Sequence, residues 1–144
     1  MEKKSLATRV VDAMFNNDAF SQWLGIERIE EGPGRSVLRM TVRAEMLNGF
    51  GIAHGGISFS LADSALAFAC NSHGQKAVSI ETSISHTKQV KAASILNNAF
   101  NSSFKGGDGK ELCATDHPLT NGSTFANEPS TAADLNETSL EDAL

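Results

Sequence analysis

An α+β domain is what the sequence predicts, and three observations carry the prediction. An amphipathic helical stripe near the N-terminus is followed by an alternating hairpin with a Gly-Pro-Gly turn. A long apolar helix then opens on two glycines, and an alternating run follows it.

Leu6, Val10, Ala13 and Met14, flanked by Val11 and Phe15, fall at helical spacing and form one apolar stripe ending near Asn16-Asn17. Next, Ile26 to Ile29 and Ser36 to Arg43 flank the turn cluster Glu31-Gly32-Pro33-Gly34. In the second arm Leu38, Met40 and Val42 alternate with Arg39, Thr41 and Arg43, so the pair reads as a half-buried hairpin. The run from Leu47 to Asp63 enters a helix at His54-Gly55-Gly56 and continues through Leu66, Phe68 and Ala69 until Asn71 and Gly74 stop it. Beyond it Val78, Ile80, Thr82, Ile84 and His86 alternate with Ser79, Glu81, Ser83 and Ser85, which predicts one long strand.

A chain of 144 residues with 40% hydrophobic content supports one domain, or one domain with a tail. The net charge of −5 is unevenly spread: residues 1–92 carry a net +1 and residues 93–144 a net −6. Composition changes at the same place. The second segment is rich in Asn, Ser, Thr, Gly and Asp, and from Asn101 to Thr131 it shows no sustained periodicity. A boundary is therefore expected between 92 and 93. Cys70 and Cys113 are too few for a disulfide framework, and Cys70, on the apolar helix, is expected to be a buried free thiol. His54, His73, His86 and His117 lack metal-ligand spacing, so no metal site is expected. Neither a secretory apolar region nor a membrane span is visible. A cytoplasmic location with no membrane or nucleic-acid partner is the expectation.

The helix start carries the chemistry. Backbone N–H groups in the first turn lack intrahelical partners and lie at the positive end of the helix dipole, where they can hold a developing oxyanion. Gly55 and Gly56 let a substrate approach them. Asp63 lies two turns further on, among Phe59, Ala62 and Leu66, where partial desolvation suits a carboxylate to act as base or nucleophile. Each residue also has a plainer reading: Asp63 as a structural helix acid, His54 as a loop-orienting imidazole, Ser79 as an ordinary sheet serine. Gly106-Gly107-Asp108-Gly109-Lys110 lacks the spacing of a phosphate loop and reads as a turn.

Asn17-Asp18-Ala19-Phe20, Leu24-Gly25-Ile26, Met40-Thr41-Val42, the Leu47 to Asp63 run and Val78 to Ile84 together resemble the hotdog-fold acyl-CoA thioesterases of the phenylacetate-degradation (PaaI) type. That resemblance implies a curved antiparallel sheet around a long central helix, and homodimers or homotetramers whose sites draw groups from two chains. It implies hydrolysis of a coenzyme A thioester, of phenylacetyl or hydroxyphenylacetyl type, without a cofactor. It also assigns roles: Asp63 as general base or nucleophile, Gly55 as oxyanion donor, Asn48 and His54 as polar groups around the thioester, and Ser79 as the hydroxyl that helps hold the attacking water.

The likeness fades after about Val90, and the strands that complete such a sheet are not recognisable beyond it, so the fold is expected to be incomplete. Leu96 to Phe104, Leu112 to Leu119 and Ala133 to Leu144 instead resemble a fragment of a tailed-phage major capsid protein, which implies a chimera. The alternative is that the tail still forms strands, with Phe104 and Leu112 flanking the Gly-Gly-Asp-Gly hairpin signal. Two functional alternatives stand beside hydrolysis: a non-enzymatic chimeric or assembly-type protein, and a hotdog hydratase or dehydratase acting on acyl-CoA.

Overall fold

The computed structural model describes residues 4–79, 82–103, 114–115 and 132–134. Helix α1 (Leu6–Asn16) starts where the Ser5 hydroxyl accepts the Thr8 N–H at 3.1 Å, and it buries Ala7, Val10 and Val11. A short helix not anticipated from the sequence, α2 (Ala19–Leu24), is capped by Asp18 and ends at Gly25, whose φ of 72° is left-handed. The Ile26 N–H then closes on the Ser21 carbonyl.

The hairpin forms as expected from β1 (Glu27–Gly32) and β2 (Arg35–Thr41), joined by Pro33-Gly34. Proline presets the first turn position and Gly34, at φ 72°, takes the second, the pattern of a type II turn. The Gly34 N–H donates to the Ser72 hydroxyl at 2.7 Å, which ties the hairpin tip to the far end of the central helix. That helix, α3 (Gly55–Asn71), packs on β2 and on β4 (Ile95–Ser103).

Strand β4 corrects the expectation that no strand is recognisable past residue 92. It pairs antiparallel with β2 from Thr41↔Ile95 to Arg35↔Asn101 and occupies the interior of a four-stranded sheet of order β1-β2-β4-β5, in which β5 is Ala114–Thr115. The alternation is present in the sequence: Leu96, Asn98 and Phe100 face inward and are buried, while Asn97, Ala99 and Asn101 are half-buried. An inward asparagine and the scarcity of β-branched residues conceal it. The antiparallel β4–β5 pairing, Ser102↔Thr115 and Ser103↔Ala114, agrees with the hairpin alternative for the tail. The Gly-Gly-Asp-Gly turn itself, Phe104, Leu112 and most of the capsid-like stretches lie outside the described residues. Just before β4, Ala93 adopts a left-handed φ of 62°, held by its N–H bond to the Val42 carbonyl at 2.8 Å.

The long strand expected from Val78 to His86 is also corrected. Among the described residues of that run only β3 (Ala77–Ser79) is a strand, paired with β6 (Ala132–Asp134), and Ile80 and Glu81 lie outside the described residues. A strand exists only where a neighbour accepts its hydrogen bonds, and among the described residues the stretch from Thr82 to His86 has no ladder partner. Its alternation survives as burial: Thr82 and Ile84 are half-buried, Ser83 and Ser85 exposed. Cys70 is buried but disulfide-bonded, which corrects the free-thiol expectation, since burial by itself does not separate a thiol from a disulfide. Among the described residues no helix is long and apolar enough to cross a membrane.

The core is one cluster that includes Leu24, Leu38, Met40, Leu61, Phe68 and Phe100. Asn98 sits inside this shell at 1% exposure, and among the described residues neither its Nδ2 nor its Oδ1 has a hydrogen-bond partner. An unpaired buried amide costs about 1–3 kcal/mol. Asn98→Val, which also suits a strand, is therefore expected to raise the unfolding free energy by an amount of that order, read as a higher urea midpoint at unchanged slope; a lower midpoint would contradict the unpaired amide.

Candidate active site

Asn48 shapes the loop that leads into α3. Its side-chain oxygen accepts the Phe50 N–H at 2.9 Å and the Ile52 N–H at 3.4 Å, while its backbone N–H donates to the Ile52 carbonyl at 2.7 Å. Phe50 is left at the loop tip, 91% exposed. The Ala53 N–H donates to the Val90 carbonyl at 2.7 Å and the His54 N–H to the Met46 carbonyl at 2.9 Å, fixing the point where the helix begins.

His54 is the N-cap of α3. Its Nδ1 accepts the Gly56 N–H at 3.0 Å, which in the neutral ring leaves the proton on Nε2. One first-turn donor is thus used by the cap, and the Gly55 N–H, at the first helical position, has no intrahelical acceptor. Both glycines are enclosed by imidazoles. A Cβ at Gly56 would stand 3.1 Å from His54 Nδ1, and one at Gly55 would stand 3.0 Å from Nε2 of His86. His86 was not assigned to the site from the sequence, where it merely ends an alternating run; only the fold brings it over the helix start.

Two turns along the same helix stands Asp63, half-buried. Burial pushes its carboxyl above the usual carboxylate range, a hydrogen bond with the Ser79 hydroxyl opposes that rise, and the Asp18 carboxylate adds to it. Ser79 reaches Asp63 because β3 runs alongside α3. The two residues sit at the edge of a cavity of about 260 Å³, otherwise lined largely by apolar side chains that include Met14, Leu66, Ala67 and Val78. On the opposite side Asp63 faces Phe59, Thr82 and Ile84.

The sequence-predicted residues therefore fall into two groups. Asn48, His54 and Gly55 gather at the start of α3, and Asp63 and Ser79 meet beside the cavity. Asp63 follows Gly55 by eight residues, which at 1.5 Å per residue separates them by about 12 Å along the axis. Asp18, quoted in the sequence only as part of a likeness, is the unforeseen neighbour of the second group. Asp18 with Ser21 three residues on is a local signal that could have shown the cap of α2, whereas no local signal reports what lies near Asp63.

Comparison with known proteins gives this arrangement a family. The thioesterase superfamily profile matches residues 50–97, which span the helix start, Asp63 and the beginning of β4. Acyl-coenzyme A thioesterase PaaI of Escherichia coli is 54% identical over 66 residues, covering 46% of this chain and 47% of that protein. A putative esterase of Archaeoglobus fulgidus is 42% identical over 87 residues, covering 60% of this chain and 56% of its own length. The chain thus spans about half the length of these curated relatives. The solved structure of the E. coli PaaI protein superposes with a TM-score of 0.80 at 31% identity, over 91% of this chain and 94% of that one. The chain belongs to the thioesterase superfamily, and its fold is the hotdog fold.

Two measurements check the electrostatics. Asp63 holds its proton more tightly folded than unfolded, so its ionisation costs stability above the folded pKa, and the cost fades as pH falls toward the ordinary carboxylate value. Asp63→Asn should then melt at a higher temperature than the parent at pH 8, with the gap closing on acidification. Ser79→Ala removes the bond that favours the ionised form, so the Asp63 side-chain carbon signal in an NMR titration should move to higher pH; a move to lower pH would contradict the geometry.

Proposed function

We propose that the protein hydrolyses an acyl-CoA thioester at a site shared by two copies of the chain. The Asp63–Ser79 pair at the edge of the apolar cavity is the observation that carries this reading, because it joins a desolvated carboxylate, a hydroxyl that can orient water and a place for an acyl group. A separation of about 12 Å between Gly55 and Asp63 is too long for both to serve one carbonyl. An oxyanion donor from a second copy resolves this, in a homodimer or in a homotetramer built from such pairs. The names of the relatives support thioester hydrolysis as the activity.

In the proposed reaction Ser79 helps hold a water, whose oxygen attacks the thioester carbon while its proton passes to the Asp63 carboxylate. The carbonyl electron pair moves to oxygen and is held by the Gly55 N–H of the facing copy, with His54 keeping the helix start in shape by capping Gly56. Asn48 holds the loop beside it. Collapse breaks the C–S bond, and the proton on Asp63 goes to the departing thiolate, giving the acid and free coenzyme A. Burial, which raises the carboxyl pKa, makes Asp63 a stronger base than an exposed carboxylate. At about 260 Å³ the cavity is smaller than the roughly 300–1,000 Å³ pockets that hold drug-sized ligands, so it suits an acyl group such as phenylacetyl or hydroxyphenylacetyl rather than the whole thioester.

Thiol release from a panel of acyl-CoA esters tests the activity, and an inactive, aggregated chain would favour the non-enzymatic reading. Asp63→Asn is expected to lower kcat by about 10²–10⁴. Gly55→Val, which places a side chain against His86, should cost on the order of 10²–10³. Refolding the two variants together should restore activity that neither has alone, because mixed dimers regain one intact site; no recovery in mixed dimers would overturn the shared site.

A further inference from the structure

The cavity beside Asp63 runs along one face of α3. Asp63, Leu66, Ala67, Cys70 and Asn71 all line it, and their spacing of i, i+3, i+4, i+7 and i+8 puts them on a single stripe of the helix. From Asp63 to Asn71 the stripe spans eight residues, or about 12 Å. Among the described residues the opposite wall comes from Met14 of α1 and from Val78 of β3. Exposure falls along the cavity: Asp63 is half-buried and Ser79 exposed, whereas Cys70 and Asn71 are each 3% exposed. Ala67 is the smallest side chain on the stripe and stands midway, four residues from Asp63 and four from Asn71, so the space between them depends on a bare methyl group at this position. Asn71 closes the buried end. Its Nδ2 donates to the carbonyls of Ala67 and Ala77, each at 2.9 Å, and its Oδ1 accepts the Ala77 N–H at 2.9 Å. That bracket holds β3 against α3. With both amide protons already bonded, an apolar group can rest against Asn71 without stranding a buried donor.

We propose that Ala67 is a specificity-determining residue of the thioesterase site: the acyl group enters past Asp63 and Ser79, lies along α3 over Ala67, and is limited in length by the Asn71–Ala77 bracket. This rests on the reading of the Asp63–Ser79 pair given above and adds the acyl class that the pair is served by, an apolar chain. Carbon–carbon bonds of 1.5 Å at tetrahedral angles advance an extended chain by about 1.25 Å each, so a path of about 12 Å holds roughly eight to ten carbons. Each carbon buried along the stripe adds to binding until the tail meets Asn71. Beyond that length the chain must stay outside or force the bracket apart. The arylacetyl groups named above are shorter than a straight chain of equal carbon number, so they leave the Asn71 end unfilled.

A series of straight-chain acyl-CoA esters from acetyl to hexadecanoyl, hydrolysed by the full chain, tests the length limit. The value of kcat/KM is expected to rise with chain length and to stop rising at roughly eight to ten carbons. Ala67→Leu and Ala67→Met both keep a good helix former, so one can stand in if the other fails to fold. In each folded variant the break should move to shorter chains. The ratio of kcat/KM for octanoyl to that for butanoyl should fall by at least about 10-fold, because one methylene gained or lost in an apolar pocket changes kcat/KM by about 10–200-fold. A break and a ratio that stay in place in a folded variant would overturn the proposal. Binding is read without turnover by titrating octanoate into the parent protein and following the Ala67 methyl and Asn71 side-chain amide signals by NMR. Shifts at both signals in a protein inactive on every ester would count against the hydrolase reading and support the acyl path. Octanoate that moves neither signal would overturn the path, whatever the activity.

Discussion

Enclosure of α3 by β2 and β4 is the constraint on which the remaining features depend. The helix is apolar around most of its circumference, and Leu61, Ala65, Leu66, Phe68 and Ala69 are all buried in the same cluster as Leu38 and Met40 of β2 and Leu96 and Phe100 of β4. Full burial of each large side chain contributes about 1.5–3 kcal/mol. Removing β4 would leave α3 and one edge of β2 uncovered, so the helix and the sheet interior are stable only together. The strand that completes this enclosure comes from the Asn-rich part of the chain, and it tolerates Asn98 because Leu96 and Phe100 on either side supply the apolar surface.

Enclosure also creates the chemistry. A helix wrapped by a sheet has little room for polar groups, so a carboxylate placed on it is desolvated by default, and Asp63 is raised chiefly by burial. The same wrapping leaves the helix start at the rim, where His54 and the loop ordered by Asn48 meet it. Desolvated carboxylate and N-terminal donors therefore belong to one helix but not to one end of it. The proposed sharing of a site between two copies starts from this separation along one helix.

Side-chain hydrogen bonds hold the irregular parts to this frame. Ser72 fixes the hairpin tip, Asn71 bonds both the N–H and the carbonyl of Ala77 at 2.9 Å where β3 begins, and Arg43 donates to the carbonyls of Trp23 and Leu24 at 2.8 and 3.0 Å. Arg43 also lies over the Trp23 ring, so the end of α2 is held by one face and by the N–H edge of a single guanidinium group. By fixing α2, these contacts also set the position of its other end, which Asp18 caps.

Local signals in the sequence determined α1, the β1–β2 hairpin and α3, since each is written in short-range patterns: helical spacing of apolar residues, a Pro-Gly turn, and a His-Gly-Gly start with an Asn and Gly stop. The helix start and its spacing also marked Gly55 and Asp63, whereas Asn48, His54 and Ser79 took their roles from the family resemblance. What needed tertiary structure was every feature defined by a partner. Strand β4 exists because β2 accepts its ladder, and the described stretch from Thr82 to His86 is not a strand because, among the described residues, nothing pairs with it. His86 over Gly55 and Asp18 beside Asp63 are long-range juxtapositions with no local signature. Periodicity reports which face of a segment seeks burial, whereas pairing and proximity depend on what the rest of the chain brings to that face.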